Sequence, residues 1–234
     1  MWYDKVILEL EEKKTYSRKE LFVTLQADNP QLSHNSFKWV LADIISRQML
    51  TKIGYDSYTR CKDERNLSYQ YHYSEIADDV REKISTRFPA MDFCIFEAFM
   101  LNEFLDVPLS KNCIVLQVEK DKSTLIFNFL SEEDQYRVLY KPNKEAYKHY
   151  WSEDCVIVTD RISEAPQNRE KPHDITLEKL IVDVLTDVTI RYLLSENEGV
   201  SVIENILKQY CIDEKKMMRY ARRRNAEQRI KEFI

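Results

Sequence analysis

The sequence predicts a mixed α+β protein, α/β in its second part, and three observations carry that expectation. Glycine occurs only twice in 234 residues, as Gly54 and Gly199, which favours helices over tight hairpins. Residues 113–119 (CIVLQVE) are a β-rich run, and residues 155–159 (CVIVT) are an apolar, β-branched run, the pattern of a buried central strand. Helical periodicities lie between and after these runs, so strands alternate with helices.

The elements follow in order. Residues 2–13 read as a first helix with Trp2, Val6 and Leu10 on one side. Ser17-Arg18-Lys19-Glu20 is a capping box that opens a second helix, ended by Asp28-Asn29-Pro30. Ser33 caps a third, whose Phe37, Leu41, Ile44 and Ile45 point inward. Residues 50–53 and 55–61 then read as two short strands around Gly54. Three helices and a two-stranded wing are the order of a winged helix-turn-helix, whose third helix enters the major groove of DNA. Its outward residues would be His34, Asn35, Lys38, Ser46 and Arg47, and the wing would offer Lys52, Tyr58 and Arg60. Residues 17–61 hold six Lys or Arg against four Asp or Glu, a net charge of +2 inside a chain of net −5. Any nucleic-acid contact is therefore expected to be local.

The polar stretch 62–66 predicts a boundary between a first domain, residues 1–66, and a second, residues 67–234. The aromatic stretch 69–73 reads as packing at that junction or as a platform for bases. Ser74 caps a helix over 75–87 that Pro89 ends. A strand at 92–96, a helix at 97–105, the strand at 113–119, a helix marked by Ser123, Ile126, Phe127 and Leu130, a strand at 137–140, a helix at 145–151 and the strand at 155–159 follow. The last third is helical: 176–194, 199–210 and 213 to the end. In 176–194 the apolar stripe is Leu177, Leu180, Ile181, Val184, Leu185 and Val188, while Glu178, Lys179, Asp183 and Asp187 form a charged face.

Composition excludes several classes. Two isolated glycines cannot build a phosphate loop or a dinucleotide fingerprint, so an NTPase of the Walker type and a Rossmann cofactor enzyme are excluded, and no cofactor is expected. The five cysteines show no C-x-x-C spacing and lie mostly in apolar runs, which predicts reduced thiols in a cytoplasmic protein. No run approaches the length of a membrane span. His34, His72, His149 and His173 lack ligand spacing, so no metal site is expected.

Five motifs stand in order along the chain: Leu101-Asn102-Glu103-Phe104; Val118-Glu119-Lys120-Asp121; Ser163-Glu164-Ala165-Pro166; Thr176-Leu177-Glu178-Lys179-Leu180-Ile181-Val182-Asp183; and Arg219-Tyr220-Ala221-Arg222-Arg223-Arg224. In these the chain resembles the AbiEi-like antitoxins of type IV toxin–antitoxin systems. One departure is Asn225, where a small residue or glycine is expected. The resemblance implies a winged helix followed by an α/β antitoxin-like domain with a helical C-terminus. It also implies two roles: repression of the protein's own promoter, and neutralisation of a nucleotidyltransferase-like toxin without a stable complex.

Candidate chemistry is sparse. Glu103, Glu119, Glu164, Glu178 and Asp183 are the acidic residues for a metal-dependent nucleic-acid-processing enzyme. On a strand, however, alternation puts Glu119 and Lys120 on opposite faces, which is the wrong spacing for a restriction-type site. No catalytic residue is assigned. At helical spacing Arg219, Arg222 and Arg223 share a face suited to phosphate, in DNA or in an RNA, and with Glu178 and Asp183 they are the neutralisation candidates. The principal expectation is an antitoxin and autorepressor. The alternatives are a stand-alone winged-helix regulator without a toxin, and the metal-dependent enzyme.

Overall fold

A computed structural model describes residues 1–12, 14–47, 49–54, 56–60, 69, 71–133, 135–150, 155–168 and 171–234. The expected boundary at 62–66, Cys61 and Trp151 lie outside the described residues. The fold is mixed α+β with two sheets, and the chain divides into two compact units. The first comprises Met1–Tyr69 and Leu207–Met217; the second comprises Gln70–Ile206 and Met218–Ile234.

In the first unit, α1 (Trp2–Leu8), β1 (Thr15–Tyr16), α2 (Arg18–Asp28), α3 (His34–Ser46), β2 (Thr51–Gly54) and β3 (Ser57–Thr59) follow in order. The strands form an antiparallel sheet in the order β1-β3-β2, with Thr15 opposite Thr59 and Lys52 opposite Tyr58. This is winged-helix topology. The capping box forms: the Ser17 hydroxyl accepts from the Glu20 amide at 3.1 Å, and the Glu20 carboxylate accepts from the Ser17 amide at 2.6 Å. Ser33 caps α3 in the same way, accepting from the Ser36 amide.

The core of this unit gathers Tyr3, Ile7, Leu10, Leu21, Leu25, Phe37, Leu41 and Ile44. The helix expected over 2–13 ends at Leu8, and its inward face is Tyr3 and Ile7, one residue out of phase with the expected Trp2 and Val6; Leu10 is buried beyond its end, and Trp2 is 39% exposed. Residues 207–217, expected in the second domain, group with the first unit. Thr15 Oγ1 donates to the Ile212 carbonyl at 3.0 Å, and the buried Asp213 carboxylate accepts from Ser57 Oγ at 3.1 Å.

In the second unit, α4 (Glu75–Arg87), β4 (Phe93–Glu97), a 3₁₀ turn (Ala98–Glu103), β5 (Cys113–Val118), α5 (Ser123–Ser131), β6 (Val138–Tyr140), α6 (Lys144–Tyr150) and β7 (Cys155–Asp160) build a four-stranded sheet. Its order is β4-β5-β7-β6, with β5, β7 and β6 parallel and β4 antiparallel to β5. The run 155–159, expected as a buried central strand, is β7, and it pairs with β5, the β-rich run, as the central pair of the sheet; every residue of β5 is buried. α4 and α5 cover the face carrying Ile114, Leu116, Val118, Val156 and Val158.

The long helix expected over 176–194 is two helices, α7 (Leu177–Thr186) and α8 (Val188–Leu193). Asp187 breaks them. Its backbone is extended, and its carboxylate accepts from the Thr189 and Ile190 amides at 2.9 and 3.4 Å, capping α8. Val188, expected in the apolar stripe, is 53% exposed because the stripe ends with α7.

α9 (Glu196–Gln209), α10 (Glu214–Arg223) and α11 (Glu227–Lys231) complete the chain. Asn225 separates the last two at φ +54. The Ala226 amide reaches the Ala221 carbonyl at 2.8 Å and the Asn225 amide reaches that of Arg222 at 3.1 Å, the bonds of a Schellman cap. A residue tolerant of left-handed backbone is required there. Asparagine meets that need in place of the expected glycine. No helix among the described residues is long and apolar enough to cross a membrane.

Candidate nucleic-acid interface

The first unit carries a cleft of about 590 Å³ lined by Arg18, Lys19, Phe22, His34, Phe37, Lys38, Lys52, Asp56 and Tyr58. Each residue arrives there for a local reason. The capping box places Arg18 and Lys19 in the first turn of α2. The Ser33 cap sets the start of α3, so that His34 and Lys38 stand one turn apart. β2 presents Lys52 beside Tyr58. Phe22, Phe37 and Tyr58 are buried and form the floor. The His34 ring stacks on Phe22 with centroids 4.1 Å apart, and the Arg18 guanidinium lies 5.7 Å from the Phe37 ring centre.

The electrostatics of the cleft are one-sided. Among the described lining residues the one carboxylate is Asp56, which accepts from the Arg18 amide at 2.9 Å and pairs with Lys215 at 3.4 Å. Lys19, Lys38 and Lys52 are exposed and make no ion pair among the described residues. The cleft is therefore a cation-lined groove with an aromatic floor, an arrangement that takes a polyanion with stacking or apolar groups.

The structure brings His34, Lys38 and Lys52 together as the sequence expects, with Asn35 exposed on the adjoining face of α3. It does not bring two other expected readers, Arg47 and Arg60, while Tyr58 reaches the cleft only as buried floor. Arg47 is committed to Asp4, with a bidentate fork at 2.8 and 3.0 Å, and to Asp43 at 3.5 Å. The Arg60 guanidinium donates to the Leu8 and Leu10 carbonyls and pairs with Glu12 at 2.7 Å, so it straps the chain after α1 to the sheet. Tyr58 is 5% exposed, as part of the cleft floor. Arg18 and Lys19 were legible only as part of a capping box, because nothing in one sequence says which way the first turn of a helix faces.

In the second unit most of the expected residues are held by internal contacts. Lys179 and Asp183, expected on the charged face opposite the apolar stripe, are fully buried and form an ion pair. Lys179 Nζ also donates to Gln117 Oε1 on β5, and Tyr220 Oη donates to Asp183 at 2.8 Å. The Gln117 amide donates to Asp187 at 3.0 Å. Burial pushes the Asp187 carboxyl and the Tyr220 phenol up. This network ties the two motifs 176–183 and 219–224 to the central strand. It is a closed, internally satisfied core rather than an open site.

Arg219, Arg222 and Arg223 are all exposed on α10. Arg222 pairs with Glu227 at 3.1 Å, Arg223 donates to Ser163 Oγ at 2.9 Å, and Arg219 has no polar partner among the described residues.

The acidic set does not converge. Glu119 pairs with Lys122 at 2.7 Å, Glu103 and Glu164 are exposed, Glu178 is partly buried and Asp183 is in the network above. Among the described residues no group of three His, Cys, Asp or Glu could hold a metal ion. Tyr73 donates to the Ile95 carbonyl at 3.2 Å and meets Tyr71 edge-on, so these aromatics pack on the sheet. Cys94, Cys113, Cys155 and Cys211 are buried free thiols, and burial pushes Cys94 up to about 11.

Fold and cleft define a two-unit α+β protein whose first unit is a winged helix with a cationic groove. The chain belongs to a family of unknown function, DUF6577, whose profile matches residues 36–234. No curated protein and no solved structure matches the chain. The family match begins inside α3, so it takes in Lys38 and Lys52 and leaves out Arg18, Lys19, His34 and Asn35.

Proposed function

We propose that the first unit binds duplex DNA, and that the protein is a cytoplasmic, non-enzymatic regulator that represses its own promoter. The observation that carries this reading is the cleft. Arg18, Lys19, Lys38 and Lys52 line one groove in a chain of net charge −5, and Asp56, the one carboxylate among its described lining residues, pairs with Lys215. Cations in the first turn of a helix oppose its dipole and cost about 0.3–1 kcal/mol each, a cost that Glu20 in the same turn offsets in part and a bound anion would offset further.

The test is a titration of the full chain against the DNA upstream of its own gene. Lys38→Ala/Lys52→Ala should lower affinity at 100 mM salt and reduce the salt slope by about 2. An unchanged slope contradicts the reading.

The further role proposed is the one the resemblance implies: neutralising a nucleotidyltransferase-like toxin through the second unit, with the α10 arginines contacting phosphate of an RNA or nucleotide. The exposure of Arg219, Arg222 and Arg223 on one face supports it. Replacing all three with alanine should abolish protection in a co-expression growth assay while the circular dichroism spectrum is unchanged. Full protection by the triple variant contradicts this role.

A further inference from the structure

We propose that the outward stripe of α3 reads A·T base pairs in the major groove, with Trp39 packing on thymine methyl groups and Asn35 hydrogen-bonding adenine. The inference rests on the DNA-binding reading. α3 buries Phe37, Leu41 and Ile44. At 100° per residue the stripe opposite is Asn35, Trp39, Ala42 and Ser46, and all four are exposed. Trp39 is 80% exposed, more than any other exposed large hydrophobic residue described, and its ring stacks on no other aromatic among the described residues. The indole stands on the most outward line of α3, one position after Lys38 of the cation-lined groove, so a polyanion seated in that groove would meet it.

Charge selects the partner. Lys38 borders the stripe on the cleft side. Asp43, on the other border, accepts from Tyr3 Oη at 2.6 Å and pairs with Arg47 at 3.5 Å. The stripe itself carries no charge and adjoins a groove of cations, so the complementary surface is a nucleic acid with its bases toward α3 and its phosphates toward the groove. The indole has one donor and no acceptor, so most of its contact is apolar. The apolar group of the major groove is the thymine C5 methyl, and an asparagine amide matches adenine N6 and N7. Asn35 and Trp39 are four residues apart, about 6 Å along the helix, or roughly two base-pair steps.

The experiment uses the full chain and a pool of random 20-mer duplexes. Binding to the unselected pool at low salt is measured first, then duplexes are enriched and sequenced. In the best duplex each thymine is replaced by deoxyuridine, which removes only the methyl groups. Enrichment of A·T pairs is expected, with a loss of roughly tenfold on uridine replacement for the wild type. Trp39→Ala should lose a similar factor on the thymine duplex and nothing more on the uridine one, and Trp39→Phe should lose less.

Enrichment without A·T preference, or uridine replacement that costs wild type and Trp39→Ala equally, overturns the inference and leaves DNA binding standing. No binding to the random pool overturns both. A wild-type dimer that becomes a monomer in Trp39→Ala, read by sedimentation, assigns the indole to a second copy of the chain and also overturns the inference.

Discussion

Arg47 and Arg60 show how a single side chain changes role once its neighbours are known. Both read as DNA contacts, and both are held by backbone carbonyls or carboxylates of residues 4–12. One sequence cannot show this, because the acceptors lie some 40–50 positions away. The Arg47 fork has a pH signature. Its hydrogen bonds, with that of the Met1 amine, hold the Asp4 carboxyl at about 2, below its ordinary 3.8. A depressed carboxyl contributes stability above its unfolded value and loses it as pH falls through the folded one. Arg47→Ala should therefore lower the unfolding midpoint at pH 5, and the gap to wild type should close as pH approaches 2. A gap that persists at pH 2 contradicts this assignment. Asn225 offers a second residue-scale check. At φ +54 an alanine costs about 1 kcal/mol and glycine costs nothing or stabilises. Urea unfolding of Asn225→Ala and Asn225→Gly reads that order directly.

At the scale of elements, periodicity located most helices and both central strands. The wing strands, α2, α3, α4 and α5 lie close to where capping residues and apolar spacing put them. What periodicity missed has two physical causes. An aspartate within an apolar stripe reads as one more helical residue, yet Asp187 caps α8 and stops α7. A Lys and an Asp four residues apart read as part of a charged face, yet Lys179 and Asp183 are buried against Gln117 and Tyr220. The spacing is the same in both settings, and only the partners from β5 and α10 distinguish them. The pair makes a strong prediction. Lys179→Met leaves Asp183 buried without its cation and should cost about 3–5 kcal/mol in denaturant unfolding. Replacing both, Lys179→Met with Asp183→Leu, should recover much of that loss. Equal loss in the single and double variants contradicts an ion-pair origin.

Across the whole molecule, the sequence revealed the fold class and half of the cleft. His34, Lys38 and Lys52 were legible because a helix following a cap has a computable outward face. Arg18 and Lys19 were not, because their direction depends on how α2 packs on α3 and the sheet. Residues 207–217 were misplaced for a similar reason, since the bonds from Thr15 and Ser57 that hold them span more than 150 positions. Net charge is the most misleading whole-chain number. The total of −5 hides a groove whose four cations face one carboxylate among the described lining residues, already paired.

The central claim is that this groove binds DNA by its phosphates. Its most direct test is the salt dependence of binding between the full chain and the DNA upstream of its gene, from 50 to 300 mM KCl. Four phosphate contacts by Arg18, Lys19, Lys38 and Lys52 give a slope of about −3 to −4 in log affinity against log salt. A slope near zero, or binding too weak to measure at 50 mM, contradicts the account.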